Sequence, residues 1–174
     1  MKAVTLIVLT LMLGGCAARM ERPDNQAPIR VGTEAAKKLV LNLDGSEAAT
    51  TADDWETMKG IWRDAFSQQA KEAGVTYGFQ EGTAKHTGEA GTLLAVYLND
   101  YRVVSAGARF GLGVMTGNAY VDSKVRFIDL KQGDVWGEQP YNTKSTAWEG
   151  VFSAMTAKQV EAICKAMVDT TLGR

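Results

Sequence analysis

Two stretches of the chain repeat apolar side chains every three or four positions, which is the period of a helix with one buried face. The clearer stretch spans residues 53–73 and is followed by Gly74, a residue type that commonly ends helices. We expect Thr51 or Asp53 to cap its start. The second stretch spans residues 156–172. The apolar stripe of the first helix is predicted to be core rather than ligand site, and it consists of Trp55, Met58, Ile61, Trp62, Ala65, Phe66, Ala70 and Ala73.

The other apolar runs are short and have the two-residue period, or the unbroken apolar character, of strands. Residues 118–130 alternate cleanly, which predicts one buried face and one polar face with Lys124 and Arg126. Residues 92–104 are apolar on both faces, as is typical of a central strand. Residues 131–134 predict a hairpin turn. The remaining predicted strands span residues 37–43, 75–80 and 135–141.

The order of these elements predicts an α/β fold. The first strand–helix–strand unit fits a right-handed parallel crossover, and the later strands fit an antiparallel meander. We therefore expect a two-layer sandwich in which a mixed, mostly antiparallel sheet of about five strands carries two helices on one face. A single globular domain is predicted over residues 35–174.

The amino-terminal residues have the pattern of an export signal. Met1 and Lys2 precede an apolar run of 11 residues, from Ala3 to Leu13. As a helix this run is about 16 Å long, too short for a bilayer core of about 30 Å. The pattern predicts a signal peptide over residues 1–15.

The apolar run closes with the sequence LGGC at residues 13–16, which resembles the lipobox of bacterial lipoproteins. The resemblance implies cleavage before Cys16 and acylation of that cysteine, with palmitate-type chains that anchor the protein to a membrane. The alternative is a chance cysteine at the end of an ordinary signal peptide. In enteric lipoproteins an aspartate at the following position retains the protein in the inner membrane, so Ala17 implies the periplasmic face of the outer membrane. Residues 16–34 are polar and aperiodic, which predicts a lipidated cysteine followed by a flexible tether.

Composition narrows the classes of partner. Apolar residues make up 45% of the chain and charged residues 22%, which is typical of a folded domain. The net charge of −1 gives no electrostatic footprint for nucleic acid or for an anionic lipid surface. The expected partners are therefore the membrane, through the lipid anchor, and an envelope protein, with no nucleic acid.

From Thr92 onward the chain resembles the domain of unknown function 4410 family, a family of uncharacterised bacterial lipoproteins. The segments that carry the resemblance are LAVYLNDYRVVSAGAR, GARFGLGVMTG and VRFIDLKQGDVWGE. In the last segment Val125, Arg126 and Asp129, with Gly133 in the turn, match the family pattern. The resemblance implies an envelope compartment and a fold, and it brings no catalytic residue.

Side chains able to do chemistry are few. His86 is the one histidine and lies in the polar loop 81–91, with no serine-elbow motif in the chain. Zinc needs three or four ligands, so we predict no metal and no cofactor. Cys164 lies on the apolar stripe of the second helix, which favours a buried, unreactive thiol. Asp53 and Asp54 favour pairing with a helix dipole over a catalytic carboxylate pair, and we predict that the protein is not an enzyme.

The most suggestive segment is the glycine-rich stretch 105–117. It joins two predicted strands, whereas a phosphate-binding glycine loop precedes a helix. Two interpretations stay open: a long connection packed onto the sheet, or an exposed apolar loop that docks on a partner protein or dips into lipid. Under the second interpretation the docking residues are Phe110, Leu112, Val114 and Met115.

The sequence therefore predicts a membrane-anchored, periplasm-facing lipoprotein with a non-catalytic accessory or partner-binding role in the cell envelope. The alternative is a small-ligand- or lipid-binding envelope module, which would need a groove between Trp55, Trp62 and the sheet. A third hypothesis, an enzyme that uses carboxylates alone, would need two acids converging within about 5–10 Å.

Overall fold

A computed structural model describes residues 20–21, 27–103, 119–144 and 155–174. Within these residues the strands are β1 (Met20–Glu21), β2 (Lys38–Gly45), β3 (Thr76–Gln80), β4 (Thr92–Arg102), β5 (Tyr120–Asp129) and β6 (Val135–Lys144). The helices are α1 (Glu47–Thr50), α2 (Trp55–Ala73) and α3 (Met155–Leu172), and a 3-10 turn at Ala35–Lys37 leads into β2.

One mixed sheet organises the domain, with the strand order β1-β6-β5-β4-β2-β3. Strand β2 pairs in parallel with both β3 and β4, while β4, β5 and β6 form an antiparallel meander. This confirms the predicted α/β sandwich with two long helices on one face of a mixed, mostly antiparallel sheet. The two-residue β1 at one edge and the four-residue α1 were not predicted, because elements so short have no measurable period.

Strand β5 shows why the alternation was informative. Val121, Val125 and Phe127 are buried, whereas Lys124 and Arg126 between them are exposed. Successive side chains of a strand point to opposite faces, so one face of β5 meets the helices and the other meets solvent. The predicted wet face is confirmed.

The long helix α2 ends as the sequence predicts and begins differently. Gly74 adopts a left-handed φ of 72°, which a residue without Cβ adopts freely, and its N–H closes the last turn. The predicted capping by Thr51 or Asp53 is wrong, because Asp54 occupies the N-cap position. The Asp54 carboxylate makes no capping bond and instead accepts a hydrogen bond from the Tyr101 hydroxyl.

The main core lies between the sheet and the two long helices. Trp62 and Phe66 of α2 are fully buried there, as are Ile163 and Met167 of α3. This confirms that most of the α2 stripe is core. From the sheet, the inward positions of four strands complete the core: Leu39, Leu41, Leu94, Val96, Leu98, Val121, Val125, Phe127 and Tyr141.

Part of the segment predicted as a tether contacts the domain. Met20 and Glu21 pair with β6, in register with Thr143 and Asn142. Further on, Ile29 is partly buried against the main core. Ordered contacts of the domain therefore begin before residue 35. Among the described helices, none is both long and apolar enough to cross a membrane.

Candidate functional site

The predicted site residues fall on segments that the structure leaves undescribed. Cys16 lies before the first described residue, and the glycine-rich stretch lies in the gap between residues 103 and 119. The lipidation site and the docking loop stay predictions for that reason. The loop residues concerned are Phe110, Leu112, Val114 and Met115.

The described strand ends that border these segments in the sequence lie at one end of the sheet. Strand β4 finishes where β5 begins, with Arg102 paired to Tyr120, and Thr143 near the end of β6 pairs with Val121. Met20, at the start of β1, pairs with Thr143 in the same row. We call this row of strand ends the anchor end, and the opposite end, which carries the β5–β6 turn, the turn end. The chain thus leaves for and returns from the glycine-rich stretch at the end where β1 begins.

The anchor end is joined to the helical layer through Tyr101. Its hydroxyl donates to the Asp54 carboxylate at 2.9 Å and lies 3.2 Å from the carbonyl oxygen of Ala49. The Trp55 ring packs beside it, with centroids 6.3 Å apart. Burial and, after it, the hydrogen bond to Asp54 raise the pKa of Tyr101 above its usual range, because an ionised phenolate would face a carboxylate. This contact holds α1, α2 and β4 together.

The predicted groove between Trp55, Trp62 and the sheet is not formed as a single space. Trp62 is fully buried and lines, together with Arg63 and Phe79, a cleft of about 10 Å³, which has room for no more than a water molecule. An ion pair between Arg63 and Glu81 lies at this cleft. Trp55 is not part of that lining and packs instead against Tyr101. The two indole rings therefore do not share a ligand groove among the described residues.

Cys164 and His86 occupy opposite environments. Cys164 is fully buried, and burial raises the pKa of its thiol, so the nucleophilic thiolate is disfavoured. The sequence interpretation of a buried thiol is confirmed. His86 is exposed on the loop 81–91. Across the described ranges, no group of three or more His, Cys, Asp or Glu side chains is placed to hold a metal ion.

The charges of a second cleft are explained by the helix ends that border it. This cleft measures about 970 Å³ and lies between the segment 28–37 and the carboxyl-terminal ends of α2 and α3. Its lining includes Arg30, Lys37 and Arg174. Cations are favoured at the carboxyl-terminal ends of helices, where free carbonyl groups carry partial negative charge. Lys37 also pairs with Glu34.

Sequence reasoning missed a third cleft, on the face of the sheet opposite the helices. There the loop 81–91 folds back over a small apolar cluster of Val40, Leu93, Ala95, Ile128 and Leu130, with Ala84 packed against it. Between the loop and the β5–β6 turn an open cleft of about 570 Å³ remains, which we call the outer cleft. Its lining consists of Ala84, Lys85, His86, Leu93, Arg126, Ile128, Gln132, Gly133 and Val135. The outward alternation of Arg126 was the one sequence signal that could have pointed to it.

Comparisons with known proteins find solved structures that are similar to this chain, but no matching family. No protein-family model matches the chain, and no curated protein sequence matches it. The resemblance to the domain of unknown function 4410 family therefore stays a prediction.

Several solved structures are similar to this chain at low identity. A PelC dodecamer from Paraburkholderia phytofirmans is 12% identical, with a TM-score of 0.48 over 85% of this chain and 94% of that one. A Xanthomonas campestris protein of domain of unknown function 330 is 9% identical, with a TM-score of 0.49 over 83% and 93%. The lipoprotein GNA1162 from Neisseria meningitidis is 11% identical, with a TM-score of 0.38 over 76% and 98%.

Proposed function

We propose that this chain is a lipoprotein of the cell envelope, anchored through Cys16 and facing the periplasm from the outer membrane. Its domain would have a non-catalytic role in binding or steadying an envelope partner. The observation that carries the proposal is the LGGC sequence placed directly after a charged start and an apolar run of 11 residues. Two or three acyl chains on one cysteine would anchor the protein firmly, since each buried CH₂ adds about 0.8 kcal/mol.

The pairing of β1 supports an anchor close to the sheet. Met20 is the fourth residue after Cys16, and four extended residues span at most about 14 Å. The anchor end of the sheet would therefore stand near the lipid surface. Because the glycine-rich stretch leaves from that same end, its apolar residues would be presented near the membrane rather than towards the open periplasm.

Among the described residues, the buried thiol and the acids near the anchor end, including Asp100 and Asp122 opposite each other, have structural contacts that favour a binding role. Cys164 is enclosed, and the acids near the anchor end are engaged in hydrogen bonds. Asp54 and Asp100 accept from tyrosine hydroxyls, and Asp122 accepts from an asparagine amide. Carboxylates committed to structural bonds are less available as acid–base pairs.

Replacing Cys16 with Ser tests the anchor. We expect the wild-type chain, purified from native envelopes, to begin at Cys16 and to carry added fatty mass. Cys16→Ser should lose that mass, and the chain freed of its leader should move from the membrane to the soluble fraction. The decisive measurement is intact-mass spectrometry, because an uncleaved leader can hold a protein at the membrane without lipid.

Cys164→Ala is the matched control, since it removes the other cysteine of the chain. It should retain the fatty mass and the membrane fractionation. A wild-type chain with an intact leader, or a mature terminus without fatty mass, would overturn the proposed anchor.

The docking role of the loop has its own test. Changing Phe110 and Leu112 together to Ser should abolish recovery of the envelope partner in a pull-down while the thermal unfolding midpoint stays within a few degrees. A large fall in that midpoint with unchanged recovery would instead favour a connection packed onto the sheet.

A further inference from the structure

We infer that the outer cleft binds a small anionic amphiphile, a molecule that joins a phosphate or carboxylate group to a short apolar portion. The inference concerns the turn end of the sheet and does not depend on the lipid anchor. It rests on the shape of the cleft, the chemistry of its lining and the bonds that hold its walls.

The charge of the lining is of one sign. Lys85 on the loop 81–91 and Arg126 on β5 are exposed cations that line the cleft, His86 follows Lys85 in the loop, and no Asp or Glu contributes to the lining. None of the ion pairs formed by described residues includes Lys85 or Arg126. Glu138 is the cross-strand neighbour of Arg126 in register, yet the two form no ion pair. An anionic group in the cleft would therefore meet guanidinium and ammonium donors that are not held in an ion pair.

The floor of the cleft is apolar. Leu93 and Ile128 form it and are almost fully buried, while Val135 at the rim is 54% exposed. Exposure of a large aliphatic side chain beside an apolar floor leaves surface that gains from being covered. A phosphate or carboxylate alone would leave this surface wet, so the complementary ligand carries an apolar portion as well.

The loop wall of the cleft is held in place before any ligand arrives. The Asn42 side chain donates to the carbonyl oxygens of Gln80 and Gly82, at 3.2 and 2.8 Å. The Gln80 amide then clamps Lys85 from both sides, donating to its carbonyl at 2.7 Å and accepting from its N–H at 3.0 Å. These bonds fix the backbone that carries Lys85 and His86.

Two further bonds hold the loop, one to the residue before the β5–β6 turn and one to the start of β2. Thr87 N–H donates to the carbonyl oxygen of Leu130 at 2.8 Å, and Glu89 forms an ion pair with Lys38. A preformed cleft loses little conformational entropy on binding, which is the usual property of small-ligand sites.

Hexyl phosphate is the probe that joins the two features in one soluble molecule. Titration calorimetry on the full chain in a nonionic detergent should give saturable 1:1 binding of hexyl phosphate. Inorganic phosphate and hexanol, which each carry one of the two features, should bind at least about tenfold more weakly. Equal binding of hexanol and hexyl phosphate would overturn the inference, because the basic lining would then contribute nothing.

A pair of variants on one strand tests the location. Arg126→Gln removes the cleft cation and should weaken hexyl phosphate binding about tenfold, the usual effect of losing one charge-assisted hydrogen bond. Lys124→Gln removes the other exposed cation of β5, which stacks over Tyr97 outside the cleft, and should change binding less than twofold. Equal loss in both variants would mean a diffuse charge effect and would overturn the assignment to the cleft.

Vesicles distinguish a free amphiphile from a lipid headgroup as the source of the anion. Phosphatidylglycerol vesicles should compete with hexyl phosphate only weakly if the ligand is a free molecule, because a headgroup packed in a bilayer is less able to enter the cleft with its apolar portion. Strong competition that Arg126→Gln abolishes would assign the same site to a lipid headgroup. Competition that Arg126→Gln leaves unchanged would contradict the site.

Discussion

The two faces of the sheet differ in what covers them. On the inner face two helices of 19 and 18 residues enclose a continuous apolar core that includes Trp62 and Phe66. On the outer face, among the described residues, the loop 81–91 covers a small apolar cluster near the turn end, and most other positions are polar or charged. One strand therefore has two different surroundings. Its inner side chains are buried by rigid helices, which stabilises the fold, and its outer side chains are only partly covered by a loop, which leaves a cleft.

The largest effect is expected from two neighbouring leucines of β4, whose replacement tests the difference between the two faces. Leu94 faces the helices and Leu93 faces the loop, and both are almost fully buried. We expect Leu94→Ala to lower the free energy of unfolding by about 4 kcal/mol and Leu93→Ala by about 2–3 kcal/mol. The difference arises because a loop can settle into the vacated space more easily than two packed helices can. Urea denaturation of both variants measures it.

An equal loss of stability in the two leucine variants would contradict the distinction between the faces. It would mean that the loop packs as rigidly as the helices. Hexyl phosphate titration of Leu93→Ala would then show whether the shape of the outer cleft survives, since Leu93 lies in its floor.

A smaller effect is expected where the loop joins β4. A Cβ on Gly91 would lie 3.0 Å from the backbone oxygen of Lys38 and 2.9 Å from Leu130 Cδ2. Gly91→Ala should therefore destabilise the domain by about 1–3 kcal/mol, because a strand backbone yields less than a side chain. Thermal and urea unfolding measure the loss.

The control for this substitution is Gly60→Ala in α2, where an added Cβ meets nothing within 4 Å. It should stabilise the domain by up to about 1 kcal/mol, because alanine is more favourable than glycine in the interior of a helix. Destabilisation by both variants would show that the effect at Gly91 is not one of steric contact.

The smallest expected effect is a pH dependence of the folding stability, which arises at Tyr101 near the anchor end. The pKa of Tyr101 is raised in the folded state, first by burial and then by its bond to Asp54. A group whose folded pKa lies above its unfolded value favours folding in its protonated form. Its contribution is therefore complete below the unfolded pKa of about 10 and is lost as the pH rises above that value.

Tyr101→Phe should flatten the fall of the urea midpoint between pH 9 and pH 11. Tyr97→Phe, a change on the outer face where the ring lies under Lys124, should keep the wild-type slope. A wild-type slope in Tyr101→Phe would show that the bond to Asp54 makes no linked contribution at alkaline pH.

Periodicity predicted what depends on local pattern. The alternation of β5 and the unbroken apolar run of β4 placed both strands within one or two residues, because burial imposes the period directly on the sequence. Gly74 likewise marked the end of α2 through its freedom to take a positive φ. The cap of α2 was mispredicted because Asp54 is held by Tyr101, a residue 47 positions away.

Contacts between residues that are far apart in the sequence could not be predicted from local hydrophobic periodicity. The pairing of β1 involves two residues, and Lys85 and Arg126, which both line the outer cleft, are 41 positions apart in the sequence. A loop and a strand face give no shared periodic signal. The loop is held over the sheet by Asn42 and Gln80, whose side-chain amides bond to the loop backbone.

The exposed side of β6 bears on how copies of the protein behave when crowded together. Among the described residues, β1 pairs with Asn142 and Thr143, Ile29 lies against Gly137, and Pro140 offers no N–H for pairing. A neighbouring chain can add its own strand to an open sheet edge, and prolines and short covering segments disfavour such pairing. If copies stand side by side on one membrane through the proposed anchor, an interrupted β6 edge would disfavour strand pairing between neighbours.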